Sequence, residues 1–102
     1  LRQLQGSKFS IGGFGSSGDK MFKTTSISFN PSDLMYMFSD GYQDQFGGNK
    51  GKKFYKKNLI HLIESGSDKT MKQQELTILE TFVNWKGNEM QMDDVTVMGI
   101  RL

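Results

Sequence analysis

The chain has 102 residues, 35% of them hydrophobic, a formal net charge of +2 and no cysteine. That length holds one domain at most, the lack of thiols excludes a disulfide scaffold and thiolate metal sites, and so small a charge gives no case for a nucleic-acid partner. No apolar run approaches the roughly 20 residues of a membrane span and no signal peptide is visible, so the reading is a cytoplasmic segment without membrane contact, cut from a longer protein because Leu1 rather than Met stands first.

In chain order, Leu1 to Gln5 is expected to form a short strand. Lys8 to Lys20 is a glycine-rich loop, with Gly12, Gly13, Gly15 and Gly18 among serines. Met21 to Phe29 alternates loosely and is rich in aromatic and β-branched residues, which predicts a strand. Asn30-Pro31-Ser32-Asp33 is a turn by composition. Leu34 to Phe38 is an unbroken apolar run, which predicts a strand buried on both faces. Tyr42 to Lys53 is polar and glycine-rich and reads as a loop. Lys56 to Ser65 carries Leu59, Leu62 and Ile63 on one helical stripe, with Gly66 at its end. A second helix is expected to about Trp85, capped by Ser67 or Asp68 or opened by the capping box Thr70-x-x-Gln73, with Leu76, Leu79, Phe82 and Val83 as its stripe. Val95 to Ile100 reads as a last, largely buried strand. The order predicts an α+β fold in which an antiparallel sheet packs under two helices.

Two acidic segments flank the two apolar strands. Asp40-Gly41 follows Leu34–Phe38, and Asp93-Asp94 precedes Val95–Ile100. If the strands are antiparallel neighbours, Asp40 and Asp93 meet at one sheet end. Carboxylates gathered there repel unless a cation or a proton intervenes, and an all-oxygen donor set suits Mg²⁺ or Mn²⁺. Gly41 would let the backbone turn tightly beside the ion. The alternative is plain: Asp40-Gly41 is only a turn and Asp93 only a solvated strand start.

The stretch Phe38-Ser39-Asp40-Gly41-Tyr42-Gln43-Asp44 resembles the T/S-D-G segment late in bacterial phosphatase domains of the SpoIIE type, members of the metal-dependent phosphatase 2C-like superfamily. Asp40-Gly41-Tyr42-x-Asp44-Gln45-Phe46-Gly47-Gly48 with Gly51-Lys52-Lys53-Phe54 is similar to a pattern of sensor-linked members. Phe82-x-x-Trp85-Lys86-Gly87, Asp93-Asp94-Val95-Thr96-Val97 and the earlier Ile11-Gly12 match in the same order, so the resemblance covers nearly the whole chain. It implies an α-β-β-α sandwich, of which residues 1–102 would be the carboxy-terminal portion. It implies that Asp40 and Asp93 are metal ligands, Asp94 a supporting residue, and Mn²⁺ or Mg²⁺ the cofactor of a two-metal site. The activity implied is hydrolysis of phosphoserine or phosphothreonine on a regulatory protein, under an upstream sensor domain. The family's earlier ligands have no counterpart here, since Asp19 and Asp33 are the only acids before Asp40. The chain alone is therefore expected to be inactive, with unpaired strand edges that favour homo-oligomers. A non-catalytic interaction module on the same fold is the competing reading.

Other signals carry less. Gly13-x-Gly15-x-x-Gly18 has dinucleotide-loop spacing but precedes an expected strand instead of a helix. Lys50, Lys52, Lys53, Lys56 and Lys57 are interleaved with Phe54 and Tyr55; they read as a solvated surface, or, at Lys52 and Lys53, as a contact to substrate. His61, the single histidine, lacks ligand partners. Ser39 lacks a nucleophile's elbow and base. The seven methionines read as core filler, and Trp85 as packing at the end of the second helix.

Overall fold

The computed structural model describes residues 1–4 and 24–102. The glycine-rich loop at 8–20, Ile11-Gly12 and the first residues of the strand expected at 21–29 lie outside the described residues. Within them, Leu1–Leu4 and residues 24–29 carry no strand. Composition favours extended backbone at 24–29, but a strand needs a ladder partner. None of the described segments supplies one, and Ile27 and Phe29 remain exposed.

The turn at Asn30–Asp33 forms as its composition dictates. The Asp33 carboxylate accepts the Asn30 N–H at 2.8 Å, and Ser32 takes a positive φ of 74°. Strand β1 follows at Leu34–Phe38 and pairs antiparallel with the last strand, β4 at Val97–Arg101, in the register Leu34↔Arg101 to Phe38↔Val97. Because side chains alternate across a sheet, Tyr36, Phe38 and Val97 face the helices and pack against the core. Met35, Met37, Met98 and Ile100 fall on the opposite face. The expectation that Leu34–Phe38 is buried on both faces is thus corrected, as is that of a largely buried last strand: Met37 is 50% exposed and Met98 49%. Helices cover one face of the pair and nothing among the described residues covers the other.

The stretch read as a loop, Tyr42 to Lys53, is better built than its composition predicts. It holds a hairpin of β2 (Phe46–Gly47) and β3 (Lys52–Lys53), closed through positive φ at Gly48 and Gly51. Tyr42 and Gln45 are the best-buried side chains here, at 1% and 2% exposure. Helices α1 (Lys56–Ser65) and α2 (Met71–Lys86) follow. The Thr70–Gln73 capping box is present in both directions, Gln73 N–H to Thr70 Oγ1 at 3.1 Å and Thr70 N–H to Gln73 Oε1 at 3.0 Å, which satisfies two of the free amides at that end.

The core joins Tyr42, Phe54, Leu59, Ile63 and Phe82. Tyr42 sits at its centre, edge-on to Phe54 at 5.3 Å and tilted against Phe82 at 5.0 Å. Its hydroxyl donates to the Ile78 carbonyl at 2.7 Å, and burial pushes its pKa up to about 12. The buried stripe of α2 differs from the apolar count. Gln74, Ile78, Phe82 and Trp85 face inward, while Leu76, Leu79 and Val83 are exposed. Gln74 takes an inward place because both ends of its amide are used: it accepts from the Tyr36 hydroxyl and donates to the Lys69 carbonyl. The methionines are not uniformly filler either, since Met90 and Met92 are more than two-thirds exposed.

Candidate metal-binding end of the sheet

Antiparallel pairing sets the site. Phe38 opposite Val97 brings the chain leaving β1 alongside the chain entering β4. Ser39 continues the contact: its N–H donates to the Thr96 carbonyl at 3.0 Å, and its hydroxyl accepts the Thr96 N–H at 3.0 Å and donates to the Asp94 carbonyl at 3.4 Å. These bonds use the hydroxyl to join the two segments. Two residues on, Gly41 is buried against the same segment, so closely that a Cβ would lie 2.1 Å from the Asp94 carbonyl oxygen. It stands in the turn at 40–44, as expected, without a positive φ, and close approach to the 94 backbone is a second constraint on it. Asp40 is therefore held between two residues, Ser39 and Gly41, that both grip the 94–96 backbone.

Asp93 is fixed from its own side. Its Oδ1 accepts the Asp94 N–H at 2.8 Å, and its carbonyl accepts from Gln91 Nε2 at 3.0 Å. Asp94 contributes its carbonyl to Ser39 and its backbone surface to Gly41. Asp40, Asp93 and Asp94 are all exposed, and none forms an ion pair among the described residues. Three unpaired carboxylates therefore lie on the backbone segments that meet at this end of the sheet. Its oxygen donors match the chemistry of a hard divalent cation. Among the described residues no three of His, Cys, Asp and Glu stand together as a metal cage.

Gln45 is a residue that sequence reasoning left without a role. Buried beneath the turn, it donates through Nε2 to the carbonyls of Phe46 and Met90, each at 3.0 Å, and its own carbonyl accepts from Trp85 Nε1 at 2.9 Å and from the Phe54 N–H at 3.0 Å. It ties the turn after Asp40 to the end of α2 and to the segment that leads into Asp93. Its place between Asp44 and Phe46 was visible, but a polar residue in a glycine-rich stretch gives no periodicity to mark it as buried. Trp85 locks the hairpin further: Gly48 N–H donates to its carbonyl at 2.9 Å, and a Cβ on Gly47 would collide with that carbonyl.

Lys52 and Lys53 stand on β3, beside the carboxylate end but outside it. Asp44 N–H donates to the Asp40 carbonyl at 2.9 Å, and the Asp44 carboxylate meets Lys53 Nζ at 3.6 Å. One short turn thus separates the first acid of the site from the lysines. Lys53 also lies over the Phe46 ring, 5.9 Å from its centre. His61 is on the exposed side of α1.

The family described as stage II sporulation protein E (SpoIIE) matches residues 4–102. The chain belongs to the SpoIIE family. Among solved structures it is similar to the SiaA-PP2C domain of Pseudomonas aeruginosa, with a TM-score of 0.75 and 25% identity over 83% of this chain. The chain spans 34% of the length of that structure. No curated protein matches it. The α+β arrangement, two helices over antiparallel strands, is accordingly that of a SpoIIE-family, PP2C-like fold, and the D-G and D-D segments of the family pattern fall at one sheet end.

Proposed function

We propose that this chain forms the carboxy-terminal part of a metal-dependent protein serine/threonine phosphatase domain. Asp40 and Asp93 are its contribution to a two-metal site, with Gly41 and Asp94 in support. The observation that carries this reading is the close approach of Gly41 to the Asp94 backbone, which brings two acidic segments fifty residues apart in sequence to one place. Membership of the SpoIIE family supports it. When bound, Mn²⁺ or Mg²⁺ supplies a nucleophilic water at neutral pH and offsets charge on the phosphoryl oxygens during in-line displacement.

The chain's own residues do the rest. Asp40 and Asp93 present carboxylate oxygens from the segment that leaves β1 and the segment that leads into β4, which the strand pairing brings alongside each other. The Ser39 bonds and the Gln45 amide keep both segments in register. Lys52 and Lys53 lie next to this end and contact the phosphorylated regulatory protein. Sensor control would come from an upstream domain. With only part of a ligand set, the chain alone binds metal weakly and turns over no substrate. The partial set also favours a second reading, a non-catalytic interaction module on the same fold.

Calorimetric titration with Mn²⁺, with p-nitrophenyl phosphate hydrolysis followed in parallel, separates the two. Weak binding by the chain, none by the Asp40→Ala/Asp93→Ala variant, and no turnover are expected. If the double variant binds Mn²⁺ as the parent does, the two aspartates are not ligands and the interaction-module reading takes its place.

A further inference from the structure

Between Asp44 and Glu64 the chain has no acidic residue, yet it carries Lys50, Lys52, Lys53, Lys56 and Lys57. Four of the five are exposed and Lys53 is half-buried, and of these five only Lys53 forms an ion pair among the described residues. The patch is held on a rigid frame: β3 is pinned through Gln45 and Trp85, and α1 is anchored by Leu59 and Ile63 in the core. The first turn of α1 has no acid, its last turn no base, and its N-cap Tyr55 makes no side-chain cap. Lys56 and Lys57 therefore sit at the positive end of the helix dipole, where cations are unfavourable and an anion is favourable. Exposed Tyr55 and Phe46 give the patch apolar surface as well. Such an arrangement is adverse to the isolated helix and is offset when something acidic lies across it.

Resting on the phosphatase reading, we propose that the β3–α1 lysines dock an acidic segment of the protein substrate that flanks its phosphorylated residue. The same substrate must bring its phosphate to the carboxylate end, where Asp40, Asp93 and Asp94 repel an acidic chain until cations are bound. The lysines, one turn away through the Asp40–Asp44–Lys53 contacts, supply the attraction that this end lacks. A short acidic peptide matches the charge of this patch. A nucleic acid fits it less well, because its longer run of phosphates would be carried on to the carboxylates.

The test uses the 102-residue chain and fluorescein-labelled deca-glutamate, with binding read by anisotropy at low and at physiological salt. Lys52→Gln/Lys56→Gln/Lys57→Gln is expected to weaken binding about tenfold, with its circular dichroism unchanged. Arginine at the same three positions is expected to retain binding, and salt to weaken it for the parent. Asp40→Ala/Asp93→Ala is expected to bind the peptide undiminished, so failure of the metal reading would show in the Mn²⁺ titration and not here. The proposal is overturned if the parent chain does not bind deca-glutamate, if the glutamine variant binds as well as the parent, or if the arginine variant is as weak as the glutamine one. Tighter binding of oligo-uridine RNA, or of phosphatidylserine vesicles, would overturn it in favour of a nucleic-acid or a membrane surface.

Discussion

Gly41 is the residue on which the proposed site depends most directly, because it carries no chemistry of its own. A methyl group there would meet the Asp94 carbonyl oxygen at 2.1 Å and its carbon at 2.9 Å. Neither atom can swing aside as a flexible side chain could. The 40–42 turn cannot retreat either, since Ser39 is bonded to Thr96 and Tyr42 is buried in the core. Gly41→Ala should lower unfolding free energy by about 1–3 kcal/mol, the usual range for overpacking. It should also weaken Mn²⁺ binding as much as Asp40→Ala does, although both carboxylates remain. Chemical denaturation and calorimetry on the same samples check this. Wild-type Mn²⁺ affinity in a folded Gly41→Ala variant would show that the spacing of the two segments does not matter to the ion. The glycine and its turn were readable in the D-G pair, and residues 40–44 do turn. The second constraint, the backbone of a segment about fifty positions away, was not, because no local pattern reports it.

Elements were legible where local chemistry decides them. Leu34–Phe38 is a strand and Lys56–Ser65 a helix with the bounds their residues imply, and Thr70 with Gln73 opens α2 as the capping pattern predicts. Burial was less legible, because it depends on which surface a neighbour covers. On α2 the apolar count selects Leu76, Leu79, Phe82 and Val83, yet Phe82 alone of these is in the core. The inward face is fixed by hydrogen bonds that an apolar count ignores: Gln74 to Tyr36 and Lys69, the Ile78 carbonyl to Tyr42, Trp85 to Gln45. Adjacent residues therefore have very different costs. Phe82→Ala should destabilise by about 3–5 kcal/mol, as expected for loss of a buried aromatic side chain. Val83→Glu, at a position 56% exposed, should stay within about 0.5 kcal/mol of the parent. Urea unfolding of both variants is the measurement. A costly Val83→Glu would mean that α2 is rotated in solution toward the stripe that the apolar count picks out.

At the scale of the molecule, the described residues place helices on one face of the sheet only. The other face presents Met35, Met37, Met98 and Ile100, with Met37 directly opposite Met98 and Met35 opposite Ile100. Three of these are more than one-third exposed. In a sandwich of two sheets such a face is the one that meets the second sheet. Left open, it should bring two copies of the chain together, so sedimentation velocity should show a weight-average mass that rises with concentration. Free strand edges give a different route to the same result, through backbone pairing. Lys at both Met37 and Met98 separates them. Paired charges of like sign in the middle of the face oppose face-to-face packing, while the ladder groups of β1 and β4 are untouched and edge pairing is left available. Met37→Lys/Met98→Lys should sediment as a monomer with an unchanged circular dichroism spectrum. If the variant associates as the parent does, the open face is not the contact, and self-association runs through the strand edges instead.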